Sequence, residues 1–390
     1  MRVDEVRKSD VIIIGSGAVG NATAYFLSLA GLEVTVLEKD TVGNGSSVRN
    51  GGQNKMNTRG EPELSLGMYG VTEIWPRLQK EMEVDIEFRK TGGYRNALTE
   101  DEIDNMKKFW PIAKKYGMHI EYINGKELRS RVPQFSDRIV GAGYCKEDTW
   151  ANPLKTTLAL YSKARCLGAK YYDHEKAIAI ETVKGRARRV ITEAGNVYEA
   201  DKICITACYG SRALLNSVSL DVPFTHALCE IFVTEPVPKM LDEIFIGSKG
   251  GYYGTQTQHG SIVMGGGSRI GAFQREGNNV EFRLTPDNVP SGIKGLTELF
   301  PCLENIKIIR SWSGWHDRTP DDMCCIEAFE EIPGLYAACG FSGHGFGISA
   351  PVGKVLSELI LEQPLGADIS KLKFNRFMPI DAFTGDDRKR

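Results

Sequence analysis

The chain has 390 residues, enough for one large domain or two ordinary ones. Its 42% hydrophobic and 25% charged residues exclude a disordered chain. With 48 basic against 50 acidic residues and no long basic block, nucleic-acid and membrane-surface binding have no electrostatic support. The early apolar run Val11 to Ile14 is far too short to span a bilayer, and no secretory leader pattern is present, so a cytoplasmic protein without a membrane span is expected. The nine cysteines are scattered, with no Cys-x-x-Cys, and read as reduced thiols rather than a disulfide frame or a zinc site.

Residues 11–38 read as one βαβ unit. Val11 to Ile14 is a continuous apolar strand of the kind buried in a parallel sheet, and Gly15-Ser16-Gly17-Ala18-Val19-Gly20 follows at once. A helix of small residues is predicted over 21–30, Gly31 ends it, and Leu32 to Leu37 leads to Glu38. Gly15 allows the tight turn, Gly17 the approach of backbone to a pyrophosphate, and Gly20 the contact of helix with strand. The pyrophosphate then rests on the positive end of the helix, and Glu38 accepts hydrogen bonds from ribose hydroxyls. The alternative is a glycine-rich turn without ligand.

The βαβ unit by itself does not choose between NAD and FAD, because both carry an ADP half. Three later segments favour FAD. Gly43 to Gly52, with Ser46, Ser47, Arg49, Asn50, Gly51 and Gly52, is polar and rich in donors. Glu199 to Gly210 is an apolar strand running through Ala207 into a glycine, after predicted strands 177–183 and 188–192, the first beginning at Ala177. Gly334 to Gly347 carries a second strand into a glycine-rich turn, and a helix over about 349–361 leaves it. A helix amino end aimed at a flavin would meet the ring edge where negative charge collects on reduction.

These pieces resemble the FAD-dependent amine and amino-acid oxidoreductases of the D-amino-acid oxidase superfamily, in particular glycine oxidase and the beta subunits of sarcosine and opine oxidases. The resemblance spans roughly residues 8–365. It rests on Gly15 to Gly20 with Glu38, Ser46 to Gly52, Ala200-Asp201 to Gly210, Trp312 to Trp315 with Thr319-Pro320-Asp321, and Gly343-His344-Gly345-Phe346-Gly347. It implies an α/β (α+β) fold: a Rossmann-like FAD-binding domain from 1–85, 145–215 and 325–375, and a substrate domain on a large antiparallel sheet from 86–144 and 216–324. Residues 376–390 read as a polar tail. The implied cofactor is non-covalent FAD, held by Gly15, Gly17, Ala18, Val19, Gly20, Glu38, Lys39, Ser46, Ser47, Arg49, Asn50, Gly51, Gly52, Ala177, Ala207, Gly210, Gly314, Gly343, His344, Gly345, Phe346 and Gly347. The implied reaction moves hydride from the carbon bearing an amine to flavin N5, after which the imine hydrolyses. Substrates are small amino acids or amines, and either partner subunits or a homo-oligomer fit the family.

One departure stands out. Where glycine oxidase and its nearer relatives carry an arginine that clamps the substrate carboxylate, this sequence has His316, with Arg318 two residues on. Residues two apart on a strand share a face, so either could serve as the clamp; Arg318 could instead pair with Asp317 or Asp321. Trp315 adjoins them. Tyr252 and Tyr253 lie on a predicted strand of the substrate sheet, and since neighbours point to opposite faces, at most one belongs in the site.

Overall fold

The computed structural model describes residues 6–248, 251–270 and 288–377; most of the predicted tail lies outside them. Two large sheets organise the molecule. The first runs in the order Cys325–Ala328, Leu335–Cys339, Val197–Ile205, Arg7–Ile14, Val34–Leu37, Lys170–Tyr172. Four of the five pairings in this order are parallel, all but the first. Val11, Ile12 and Ile13 are completely buried, as a strand covered on both faces must be. Strands Arg186–Thr192 and Ala177–Val183 add an antiparallel meander beside the start of Val197–Ile205. Ile14 is level with Leu37 on one side and Ile205 on the other, so three strands end together and open a crevice beyond their carboxyl ends.

Helices Ala18–Leu29, Pro153–Cys166 and Gly345–Ile360 cover one face of this sheet. The first and last touch backbone to backbone: a β-carbon on Gly353 would collide with the Ala22 side chain and stand 2.8 Å from the Thr23 nitrogen. The beginning and end of the chain therefore meet in one layer.

The second sheet runs Ile308–Arg318, Thr225–Thr234, Ile262–Ile270, Tyr252–Gln256, Ile244–Ile246, Gly93–Ala97, Gly141–Cys145, Ile120–Asn124. It is antiparallel, as expected, except that Ile244–Ile246 runs parallel to Gly93–Ala97, two strands joined only by a long excursion of chain. Helix Asn288–Leu299 closes one face, over Phe232, Met264 and Phe300. Strands of the first sheet come from 7–37, 170–205 and 325–339, and those of the second from 93–145 and 225–318.

Three local expectations shift. The first helix begins at Ala18 rather than residue 21, inside the glycine turn itself. The last begins at Gly345 rather than 349 and contains Pro351. Proline has no N–H to offer the carbonyl four residues back, and that carbonyl, Gly347, accepts instead from Trp75 Nε1 at 2.9 Å. The sequence pattern of residues 98–132 is helical, and the structure places there helices Glu100–Lys107, Trp110–Lys115 and Gly125–Arg131 with strand Ile120–Asn124 between them. The alternation of that strand is too short to outweigh helical neighbours in a sequence reading.

Candidate flavin site and its substrate side

The glycine turn at the crevice is built by close approach. Gly15 has φ +107°, and a β-carbon there would lie 2.6 Å from the Thr206 carbonyl oxygen. A β-carbon on Gly20 would overlap the carbonyl oxygen of Gly15, and one on Gly17 would stand 2.8 Å from Ser47 Oγ. Helix Ala18–Leu29 has no cap from its own N-cap residue, Gly17, and no acid in its first turn, so its positive end is open apart from the Ala18 N–H. Ser47 Oγ accepts from the Ala18 N–H at 2.8 Å and brings the 46–52 segment against that end. Glu38 accepts from the Ser16 N–H at 2.8 Å and the Asp40 N–H at 3.0 Å. Burial pushes its pKa up against these bonds, so ligand hydroxyls that donate to it would stabilise its ionised form.

The 46–52 segment also reaches the second sheet. Ser46 Oγ donates to the Trp315 carbonyl, and a β-carbon on Gly314 would stand 3.0 Å from that of Arg49. Arg49 donates to the Asn44 carbonyl and side chain, each at 3.1 Å. Asn50 Nδ2 donates to the Ser47 carbonyl at 2.7 Å, and Gly51 accepts from Trp150 Nε1 at 2.7 Å. Gly52 has φ +81°, with Trp150 Nε1 2.8 Å from where its β-carbon would be. Ala207 and Gly210 flank Cys208, which itself has positive φ. Lys39 Nζ reaches the Tyr209 hydroxyl and lies over that ring, 4.1 Å from its centre.

The turn before the last helix is held by Asp317, a residue absent from the predicted site. It is fully buried and accepts from the N–H groups of Gly340 at 2.6 Å and Phe341 at 3.3 Å. Beside it, the His316 ring lies 3.3 Å from where a β-carbon on Gly343 would be. His344 precedes the helix, its Nδ1 3.5 Å from Glu63 Oε2. Glu63 accepts from Arg59 and from the Cys324 N–H, both at 2.8 Å, and Arg59 also donates to Asn54 at 3.0 Å. Gly347 packs on Asn54, and Gly345 under Phe341. Helix Gly345–Ile360, like the first, has no cap from its own N-cap residue and no acid in its first turn.

Several predicted residues sit apart from these groups. Phe346 packs on Trp75, ring centres 5.7 Å apart, and Val19 packs in the same core. Ala177 packs beside Tyr172 in the core of the other face; its link to the crevice runs through the Glu175 N–H, which donates to the Glu38 carbonyl at 2.8 Å. Tyr252 turns toward helix Asn288–Leu299, where Gly295 makes room for its ring, while Tyr253 faces the opposite side of the sheet.

Neither candidate clamp offers a free cation. Arg318 spends Nε and Nη2 on both oxygens of Asp322, at 2.6–2.9 Å, a fork already filled by a partner that local spacing did not single out. His316 is buried, and loss of solvent with Arg318 and two histidines nearby pushes its pKa down to about 3. His344 is pushed down to about 4 by burial. Both rings are neutral at neutral pH.

Sequence reasoning missed Lys55, Arg59, Glu63, Asp148 and Asp317. Arg59 and Glu63 are four apart, the spacing of a helical ion pair, and that was the one signal available.

A crevice at the ends of parallel strands, two open helix ends and an acid beside the glycine turn define a dinucleotide-binding oxidoreductase. Residues 10–359 match the family described as FAD dependent oxidoreductase (DAO), and the chain belongs to that family. An opine oxidase subunit from Rhizobium meliloti is 24% identical, the match covering 94% of this chain and 97% of that one. The crystal structure of L-proline dehydrogenase from P. horikoshii is similar with a TM-score of 0.86 and 26% identity, covering 96% of this chain and 98% of that one. Glycine oxidase from Geobacillus kaustophilus shares the fold with a TM-score of 0.87 and 21% identity, covering 95% and 99%.

The protein is thus an FAD-dependent oxidoreductase, and its residues fit the cofactor. The glycine turn leaves no room for side chains, the helix end beside it has no cap from its own N-cap residue, and Glu38 presents a carboxylate at the strand end. Glu38→Ala is expected to weaken FAD binding about tenfold or more, since charge-assisted hydrogen bonds contribute roughly 1.5–3 kcal/mol. Titration of apoprotein with FAD, followed by quenching of flavin fluorescence, measures it. An unchanged affinity would remove Glu38 from the ribose site.

Proposed function

We propose that the chain oxidises the C–N bond of a small amino acid or secondary amine, whose imine product then hydrolyses, with electrons passing to oxygen or another acceptor. The observation that carries the reading is the junction of the two sheets. The turn over Asp317 packs Gly343 on His316 of the second sheet, beside the open end of the last helix. This joins a flavin cradle to a sheet face that can hold a substrate. Two of the proteins it is similar to bear the names opine oxidase and proline dehydrogenase, which supports the same substrate class.

Bound FAD supplies the two-electron acceptor for hydride from the substrate carbon. The chain itself must bind and orient the substrate and keep the amine unprotonated. A neutral His316 suits the orienting role, because its uncharged ring can hydrogen-bond the substrate amine without placing a positive charge beside it. Asp317 keeps the turn 340–342 in place, and its burial beside two backbone donors resists movement of that wall.

The test is anaerobic mixing of FAD-loaded protein with a panel of amino acids and secondary amines. Bleaching of the flavin band by a member of that panel is expected. Flavin reduced by dithionite but by none of the panel would overturn the reading. A second reading, a flavoprotein subunit that hands electrons to a partner chain, is favoured by the similarity to a protein named as one subunit of an opine oxidase. Substrate-reduced protein that reoxidises slowly in air and quickly with an artificial acceptor would support it.

A further inference from the structure

We infer that Lys55 is the carboxylate-binding residue of the substrate site, so that the substrate is an amino carboxylate rather than a simple amine. The inference rests on the proposed function and deepens it. The surroundings of both expected clamps count against them, since Arg318 is already paired with Asp322 and His316 is neutral. Arg59, also nearby, is committed to Glu63 and Asn54. Lys55 differs from them. Its Nζ lies 3.3 Å from the centre of the Tyr253 ring, on the face of the second sheet opposite the packing helix. Among the described residues no carboxylate or carbonyl accepts a hydrogen bond from it.

An ammonium carries three donors, and an aromatic face satisfies its charge on one side only. A half-buried cation held in this way is stabilised by an anion that accepts its hydrogen bonds. A small carboxylate does so.

The surroundings fix the lysine in place. Lys55 lies between strand Gln53–Asn54 and the turn Met56–Thr58. The N–H groups of Met56 and Asn57 donate to one oxygen of Asp148, at 2.6 and 3.1 Å. Asp148 is completely buried, and its other oxygen occupies the place where a β-carbon on Gly93 would stand. Tyr253 is seated by Gly265, where a β-carbon would lie 3.1 Å from its hydroxyl. The cation is therefore presented by a rigid support rather than by a mobile surface chain.

The charged and titratable groups around it come from four places. Cys229 and Tyr253 lie on the sheet, Arg59 on its own segment, Asp148 on the supporting loop and His344 on the turn before the last helix. Burial outweighs the rest and pushes its pKa down to about 8. Carboxylate affinity should then be full below that pH and fall about tenfold per pH unit above it.

The experiment measures binding and needs no turnover. FAD-loaded full-length protein is titrated calorimetrically with acetate, benzoate and their neutral counterparts acetamide and benzamide. At least one carboxylate should bind more than tenfold tighter than its amide. Lys55→Met should lose about 10- to 100-fold of that carboxylate affinity and leave the amide unchanged, whereas Lys55→Arg should keep most of it. Equal binding of both carboxylates and their amides by the wild type overturns the inference. So does unchanged carboxylate binding in Lys55→Met, or an equal loss for acid and amide. Should Lys55→Met fail to fold, the wild-type pH dependence decides: a carboxylate affinity flat between pH 7 and pH 10 would overturn it, and the fall above about 8 would sustain it. Failure of the proposed function would show separately, as flavin that no amine reduces while carboxylate binding still depends on Lys55.

Discussion

Gly20→Val is expected to yield a protein that purifies without FAD, or one that fails to fold. A β-carbon at this position would overlap the Gly15 carbonyl oxygen and approach Thr206 Oγ1 to 2.7 Å. The first obstacle is backbone, and the second is a hydroxyl held by the Ile14 and Gly15 carbonyls, each at 3.1 Å. Gly15 is itself pinned: its N–H donates to the Leu37 carbonyl at 2.9 Å, and its own β position faces the Thr206 backbone. The helix would have to move off the strand ends. Overpacking of a tight core costs about 1–3 kcal/mol, and more where backbone must shift. The displaced turn would also misplace the amino end of the helix. The ratio of flavin to protein absorbance, with a thermal melt of each preparation, measures the effect. A variant with full flavin content and wild-type Tm would show that the turn is looser than this geometry states.

The second large effect is expected from Gly353→Val. Gly353 lies in the middle of helix Gly345–Ile360, where glycine is a poor helix former, so local propensity alone would favour the substitution. Tertiary packing opposes it, because the new side chain would meet the Ala22 side chain and the Thr23 backbone nitrogen of the first helix. The two helices would separate, and their amino ends would move apart. We expect a loss of several °C in Tm together with weaker FAD retention, although residue 353 touches no part of the glycine turn. Dialysis followed by flavin quantitation separates the two readouts. A Tm at or above wild type would show that propensity outweighs packing here.

These two glycines illustrate what sequence reading reaches and what it does not. Gly20 was legible because strand, glycine spacing, helix and acid follow one another along 28 residues, and a local pattern needs no knowledge of the rest of the chain. Gly353 was not, because its neighbour is more than 300 positions away. The same division holds for charges. Glu38 could be placed from its distance to the glycines, whereas Asp317 looked like a surface partner for Arg318. It is instead buried under the 340–342 turn, and Arg318 turns to Asp322. The alternation of Tyr252 and Tyr253 allowed at most one of them in the site; only the position of helix Asn288–Leu299 showed that Tyr252 packs beneath it while Tyr253 faces the other side of the sheet.

The order of residues by itself determined the dinucleotide fold, the flavin rather than nicotinamide reading, and the family, since each depends on short segments whose backbone geometry is dictated locally. Tertiary structure alone decided which cation remains available. Ion pairing and burial are properties of the folded neighbourhood, so an arginine that looks like a clamp in sequence is found paired with Asp322, and the histidine beside it is buried and neutral. A lysine outside any motif is left facing the tyrosine, with no acceptor of its own among the described residues.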